Sequence, residues 1–486
     1  MHMPNNKVFA FPKTPGLVID LFAGGGGASL GFEMATGQSP HYALNHNEVA
    51  LAMHKRNHPN TTHICQNIKD ANPLEITKGR PVSVLIAAPD CSQFSGASVG
   101  IPKDRRVREL AWSVIRWVKL CRPQLTLVEN VSQFEKWCPL DENMRPIKEQ
   151  EGETFQEWLQ AFRELGYNVE FEKLKCCDYG APTIRERLFI VARNDNNPIV
   201  WPKPTHADRY AEGFQDLGLL PWITTAEIID WSIISPSIFL TEREAKIWEQ
   251  LTGKRIQRPL KPATHDRIRQ GIDKFVLGEH AWPFIVQTNH QSKTFRGQSL
   301  LRPINTITAA RDATGLVTPV LDGNDRTTLV KNFIALHNTG AIGMSFDKPL
   351  PTVTTRGTQI NLVSTLLGKP TKQQAAFITK FYSTSKHGQS MREPLATVTA
   401  SGQHLGLVLV DGVERPIEDV LMRMLSPREL FRASGFPDSF VIDEDCDGNP
   451  INSTDQIEKC GNAIPPQVVE AQLSANLQTL EMPIAA

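Results

Sequence analysis

The sequence predicts an α/β fold, a doubly wound and mostly parallel sheet interrupted by a large β-rich region before its last segment. Three observations predict it. Apolar runs alternate with helix-compatible segments from residue 13 to 193. A glycine-dense turn, Gly24 to Gly27, follows the first run. A proline-led strand pattern recurs three times between residues 281 and 410.

The first run, Leu17 to Leu21, contains Asp20 and leads through Phe22 and Ala23 into the glycines. Glycine lets a chain turn sharply and lets a ligand approach the backbone. A strand followed by such a turn and a helix is how nucleosides are bound in α/β domains. Taken alone, the pattern also suits a dinucleotide oxidoreductase or a plain tight turn. The second informative run, Val82 to Ala88, leads into Pro89-Asp90-Cys91-Ser92-Gln93-Phe94-Ser95. Glu109 to Leu120 has helical spacing. Leu125 to Val128 then leads into Glu129-Asn130-Val131, and Thr154 to Leu165 is a further helix. Cys91 and Glu129 therefore stand at the carboxyl ends of strands, where open α/β sheets build their sites. Arg185 and Arg187 precede the run Leu188 to Ala192, which fits a strand of opposite direction. Pro198, Pro202 and Pro204 mark the exit from this domain.

The middle of the chain repeats itself. Pro303-Ile304-Asn305-Thr306-Ile307-Thr308 returns from Pro349 and again from Pro394, at spacings of 46 and 45 residues. Phe284-Ile285, Phe333-Ile334 and Phe377-Ile378 open the three units. Gly297, Gly343 and Gly388 precede the prolines, and Leu316-Val317, Leu362-Val363 and Leu407-Val408 follow them. Alternating threonine and β-branched residues bounded by glycine and proline favour short strands. The units are read as a stacked scaffold presenting polar loops at equivalent places.

Charge separates the same regions. The formal net charge is zero, yet residues 281–410 hold 13 Lys and Arg against 5 Asp and Glu. Residues 411–486 hold 5 against 14. A basic middle of net +8 suits a phosphate backbone, and the acidic end does not. No apolar run reaches the length of a membrane span. The eight cysteines include no CxxC pair, so neither a metal site nor a disulfide framework is expected. The expected compartment is a reducing cytoplasm, in association with the nucleoid.

In their order, these motifs resemble the DNA cytosine-5 methyltransferase family. The resemblance covers residues 17 to about 193, resumes at Ser426 to Pro437 and closes at Gly461-Asn462. It implies a Rossmann-like, S-adenosylmethionine-dependent methyltransferase domain formed by residues 13–200 and 455–486. Residues 201–454 would be the target-recognition domain, with its three tandem repeats. The implied reaction adds a Cys91 thiolate to carbon 6 of a flipped-out cytosine in duplex DNA. Glu129 would act at N3, Asn130 would orient the loop, and Arg185 and Arg187 would hold the base, a phosphate or Glu129. The implied cofactor residues are Asp20, Phe22, Ala23, Gly24, Gly26, Gly27, Asn45, His46, Asn67, Ile68, Leu110 and Asn462, with S-adenosylhomocysteine as product. The expected assembly is a monomer, accompanied in the cell by a cognate restriction endonuclease.

Five positions depart from the family pattern. Asp90 replaces the proline beside the nucleophile and Ser92 the following glutamine. Asn45 and Asn67 replace two acidic residues at the ribose and the adenine, with Glu48 a rival for the first. Thr183 replaces the glutamine before the arginines. An asparagine accepts a hydrogen bond without charge assistance, so these changes bear on cofactor affinity. The same chemistry on RNA, and a catalytically silent DNA-binding protein on this scaffold, are the rival readings. The long middle region favours duplex DNA.

Overall fold

A computed structural model describes residues 16–90, 94, 104, 108–228, 230, 232–262, 264, 265, 268 and 417–477, with strand residues between 284 and 414. Cys91, Ser92, Gln93 and Ser95 lie outside the described residues.

Seven strands form the central sheet: β1 (Leu17–Leu21), β2 (Tyr42–Asn45), β3 (Thr62–Cys65), β4 (Val82–Ala87), β5 (Leu125–Val131), β6 (Asn168–Lys175) and β7 (Glu186–Arg193). Their spatial order is β3-β2-β1-β4-β5-β7-β6. The first five are parallel to one another. Strand β7 runs antiparallel between β5 and β6, as the position of the arginine pair predicts. β1, β4 and β5 are buried along their whole length, which is why they read as unbroken apolar runs. Edge strand β6 carries Glu170, Glu172, Lys173 and Lys175, charges that discourage pairing with another chain.

Alternation along each strand feeds two cores. Leu17, Ile19 and Leu21 of β1 face one core, with Trp117 of α4 (Leu110–Cys121), which follows α2 (Glu48–Asn57) and α3 (Pro73–Thr77), and with Phe155, Trp158 and Phe162 of α5 (Glu153–Glu164). These helices lie within one residue of the expected spans. Val18 faces the other core, with Phe32 of α1 (Gly27–Thr36) and Val468, Val469 and Leu473 of the C-terminal helix Pro466–Leu477. That helix approaches α1 closely only because two residues of α1 lack side chains. A Cβ on Gly27 would lie 2.2 Å from the Ile464 carbonyl oxygen, and one on Gly31 would lie 2.6 Å from that of Pro466.

The chain returns to this unit earlier than residue 455. Phe431, Phe436 and Phe440 form one aromatic cluster, and Phe440 lies against Gly26 and Phe436 against Gly27. Asn57 exchanges two 2.7 Å hydrogen bonds with the Val441 backbone. Covering the glycine turn takes these aromatic residues as well as the last helix.

In the middle region, Phe284–Gln287 pairs antiparallel with Gly297–Ser299 and Thr314–Leu321. Val330–Leu336 pairs with Ile360–Leu366, and Phe377–Lys380 pairs with Gln389–Ser390 and Leu405–Gly406. The β-rich expectation holds for these described strands.

Candidate active site

The sheet reverses its winding between β1 and β4, which is where open α/β sheets place their ligands. The glycine turn leaves β1 there. Phe22 takes a left-handed backbone with φ 59°, and Gly26 takes φ 110° at the N-cap of α1. Each glycine has its own reason. A Cβ at Gly24 would meet no atom within 4 Å, so Gly24 borders open space. Gly25 is backed by Met53 and Lys459, and Gly26 by His58, whose Nε2 is 2.7 Å from the position a Cβ would take. Gly27 serves packing against Ile464. Of the expected cofactor glycines, Gly24 borders open space and Gly27 packs against the Ile464 carbonyl.

The remaining expected cofactor residues divide in the same way. Ala23 is buried, and its N–H bonds the Leu44 carbonyl, tying the turn to β2. Asn45 donates from Nδ2 to the Ala23 carbonyl at 3.3 Å, and its Oδ1 accepts from the Asn47 N–H at 2.9 Å. Its amide therefore shapes the turn. His46 and Asn67 are exposed, Asn67 Oδ1 accepts from the Lys69 N–H, and Ile68 is buried. Leu110 begins α4, half-buried, and Asn462 is exposed at the end of helix Ser453–Asn462. Asp20 is nearly fully buried and accepts from Ser29 Oγ at 2.7 Å, so its carboxyl points beneath the turn. An open glycine flanked by a helix N-terminus fits the carboxylate-bearing tail of a nucleoside cofactor.

At the adjoining strand ends, Asn130 is buried and donates from Nδ2 to the Pro89 carbonyl at 3.0 Å, while its Oδ1 accepts from the Val131 N–H. The end of β5 thus holds the residue two before Cys91. On the other side of Cys91, Phe94 packs edge-on against Phe134 and Trp137, with the Arg108 guanidinium 5.3 Å above its ring. Glu129 is buried next to Asn130. Arg187 Nε lies 2.9 Å from Glu129 Oε1, off the direction of a good hydrogen bond, in a pair that is about nine-tenths buried. Burial raises the Glu129 carboxyl above the usual carboxylate range, against the opposing charges of Arg187 and then Arg185. A raised carboxyl is what proton donation near neutrality requires. Arg185 donates Nη1 to the Gly461 carbonyl at 3.0 Å. This bond joins the segment just before β7 to the Gly461-Asn462 corner, 276 residues away in sequence.

The family profile for C-5 cytosine-specific DNA methylases matches residues 17–477. The chain belongs to this family. As a DNA cytosine methyltransferase it has curated relatives among type II enzymes. M1.HphI of Haemophilus parahaemolyticus is 26% identical over 296 residues, covering 57% of this chain and 72% of that protein. M.AgeI of Thalassovita gelatinovora is 30% identical over 201 residues, covering 40% and 43%. M.BspRI of Lysinibacillus sphaericus is 27% identical over 289 residues, covering 50% and 62%. Membership implies S-adenosylmethionine as methyl donor. No helix among the described residues is long and apolar enough to cross a membrane.

Sequence reasoning missed the side chains behind the glycine turn, Ser29, Glu33, His54, His58 and His63. One signal was available. Ser29 and Glu33 are four apart on α1, so they share a face.

Proposed function

We propose that this enzyme transfers a methyl group from S-adenosylmethionine to carbon 5 of cytosine within a specific sequence of duplex DNA. The observation that carries the reading is the junction of β4 and β5. Buried Glu129, paired with Arg187, adjoins the asparagine that holds Pro89 at the head of the Cys91 segment.

Carbon 5 of cytosine is a weak nucleophile. Addition of the Cys91 thiolate to carbon 6 pushes electrons toward N3 and gives carbon 5 enamine character. Glu129 shares its proton with N3 as negative charge develops there. Arg187 fixes the carboxyl and faces the exocyclic oxygen, while Asn130 orients the nucleophile's loop. S-adenosylmethionine, when bound, supplies an electrophilic methyl group, and Phe22, Ala23, Gly24, Gly26, Asn45, Ile68, Leu110 and Asn462 would hold it. Loss of the carbon 5 proton then expels the thiolate and restores the ring. The thiolate must reach carbon 6 from above the ring plane, so the base is rotated out of the duplex at a cost of a few kcal/mol.

Target recognition falls to the middle region, read as three equivalent units on a basic face. Strand register supports the equivalence. Phe284 pairs with Val317 and Phe333 with Val363, the same two repeat positions. Phe284 also pairs with Ser299 and Phe377 with Ser390, each serine standing two residues after its unit's glycine. The type II names of the relatives favour a role beside a cognate restriction endonuclease, and the enzyme is read as a monomer.

A duplex with 5-fluorocytosine at the target should trap a covalent adduct, because fluorine blocks the final elimination. Cys91→Ala should trap none. An adduct that survives this substitution would overturn the assignment.

A further inference from the structure

Beneath the glycine turn lies a chain of side chains that methyl transfer does not use. Asp20 Oδ2 is 2.7 Å from Ser29 Oγ, Ser29 Oγ is 2.9 Å from His54 Nε2, and His54 Nδ1 is 2.8 Å from His63 Nε2. Asp20, Ser29 and His54 are buried, and His63 on β3 is half-buried. An unbroken line of hydrogen-bonding groups therefore runs from a partly exposed imidazole to a carboxyl under the turn. Ser29 belongs to the first turn of α1, the helix whose N-cap is Gly26.

The surroundings leave few protonation states open. Glu33 of α1 pairs at 2.9 Å with His58, the residue that caps the end of α2 (Glu48–Asn57). Burial acts to raise Glu33, but the hydrogen bond and charge of His58 outweigh it, so this carboxyl titrates low. The His58 ring lies 4.5 Å from that of His54, tilted by 52°, and Phe440 lies 6.0 Å from it. Lys55 acts on His63, and the stem of Lys459 lies on Gly25. Burial pushes His54 well below the ordinary imidazole range and His63 to about 4, so both rings are neutral near pH 7. Burial lifts Asp20 to about 7, against the Ser29 hydrogen bond and then the charge of His58. With Asp20 ionised, every bond in the line must point toward it. His63 then donates to His54, His54 to Ser29 and Ser29 to Asp20.

We propose that His63, His54 and Ser29 form a proton path to Asp20, whose charge tunes the cofactor site between the cationic methyl donor and its neutral product. The proposal rests on the S-adenosylmethionine reading above. His63 takes a proton at Nδ1 from a solvent hydronium ion, which becomes water, and passes its Nε2 proton to His54 Nδ1. His54 passes its Nε2 proton to Ser29, and the Ser29 hydroxyl proton goes to Asp20. One proton has entered, Asp20 is a neutral acid, and no imidazole keeps a charge. S-adenosylmethionine carries one more positive charge, at sulfur, than S-adenosylhomocysteine. An ionised Asp20 therefore favours the donor over the product. By reciprocity, binding of the donor favours release of the Asp20 proton.

Isothermal titration of the full chain with each ligand, from about pH 6 to 8 in buffers of different ionisation enthalpy, tests this. The affinity ratio of donor to product should rise at least about fivefold across that range, with more protons released on donor binding. Asp20→Asn should make the ratio independent of pH. Ser29→Ala removes a hydrogen bond that favours the ionised carboxyl, so the transition should move to higher pH. A pH-independent ratio in the parent, or an unshifted transition in Ser29→Ala, would overturn the proposal. The Ser29 variant decides the matter if Asp20→Asn fails to fold. If the folded parent binds neither ligand, the cofactor reading fails and this proposal falls with it.

Discussion

Replacing Arg187 by methionine removes a guanidinium while keeping much of the side chain's bulk. In the parent it lies 2.9 Å from Glu129 Oε1, both side chains about nine-tenths buried. Burial already lifts the Glu129 carboxyl, and Arg187 is the largest force opposing that lift. Breaking a buried pair by removing one partner costs ~3–5 kcal/mol, because the other charge is left without compensation. Glu129 can escape part of this cost by taking up a proton, so pH limits the loss. Its folded pKa lies above the ordinary value of 4.5 and moves higher in the variant. A carboxyl so raised keeps its full stability below its unfolded pKa and loses it as pH rises toward the folded pKa. The penalty of Arg187→Met should therefore be small near pH 5 and grow by up to ~1.4 kcal/mol per pH unit until the folded pKa is passed. Urea denaturation of parent and variant at about pH 5, 6.5 and 8, followed by tryptophan fluorescence, measures it. Trp137 and Trp158 report on the core beside β5 through Phe134. The double variant Glu129→Gln, Arg187→Met should recover most of the loss and remove its pH dependence. An equal penalty at all three pH values, or a double variant as weak as the single, would show that Arg187 does not act through the charge of Glu129.

Gly27→Ala should destabilise the fold by ~1–3 kcal/mol, because its Cβ would sit 2.2 Å from the Ile464 carbonyl. Gly24→Ala should melt like the parent and weaken cofactor binding, and thermal melts beside titration calorimetry separate the two effects. Asn130→Ala leaves the buried Pro89 carbonyl without the donor seen here. It should cost ~1–3 kcal/mol and lower single-turnover methylation about a hundredfold with cofactor affinity retained. Exchanging residues 281–410 for those of a related enzyme should change the methylated sequence in an active chimera. An unchanged sequence, read by methylation-sensitive sequencing, would count against the three-unit reading.

Much of the catalytic half was legible in the sequence because its signals are local. Strands buried on both faces must be continuous apolar runs, so β1, β4 and β5 announced themselves. The placement of Arg185 and Arg187 before their run gave the reversed direction of β7. Helical spacing found α4 and α5 to within one residue. The candidate nucleophile and Glu129 were legible as polar residues closing such runs. Domain limits were less so. Phe436 and Phe440 belong to the cover of the glycine turn, and no local pattern says what an aromatic residue will cover.

By itself, then, the sequence determined which segments become strands and helices, which residue types end them, and the family to which their order belongs. Tertiary structure alone decided the direction of each polar side chain at the site. Asp20 turned beneath the loop toward Ser29, Gly27 toward Ile464, Asn130 to Pro89, and Arg185 to Gly461. The physical reason is that periodicity records only which face of an element is apolar. A polar group's partner is set by which distant backbone the sheet order brings within about 3 Å, and a buried polar group has to take the partner it finds there.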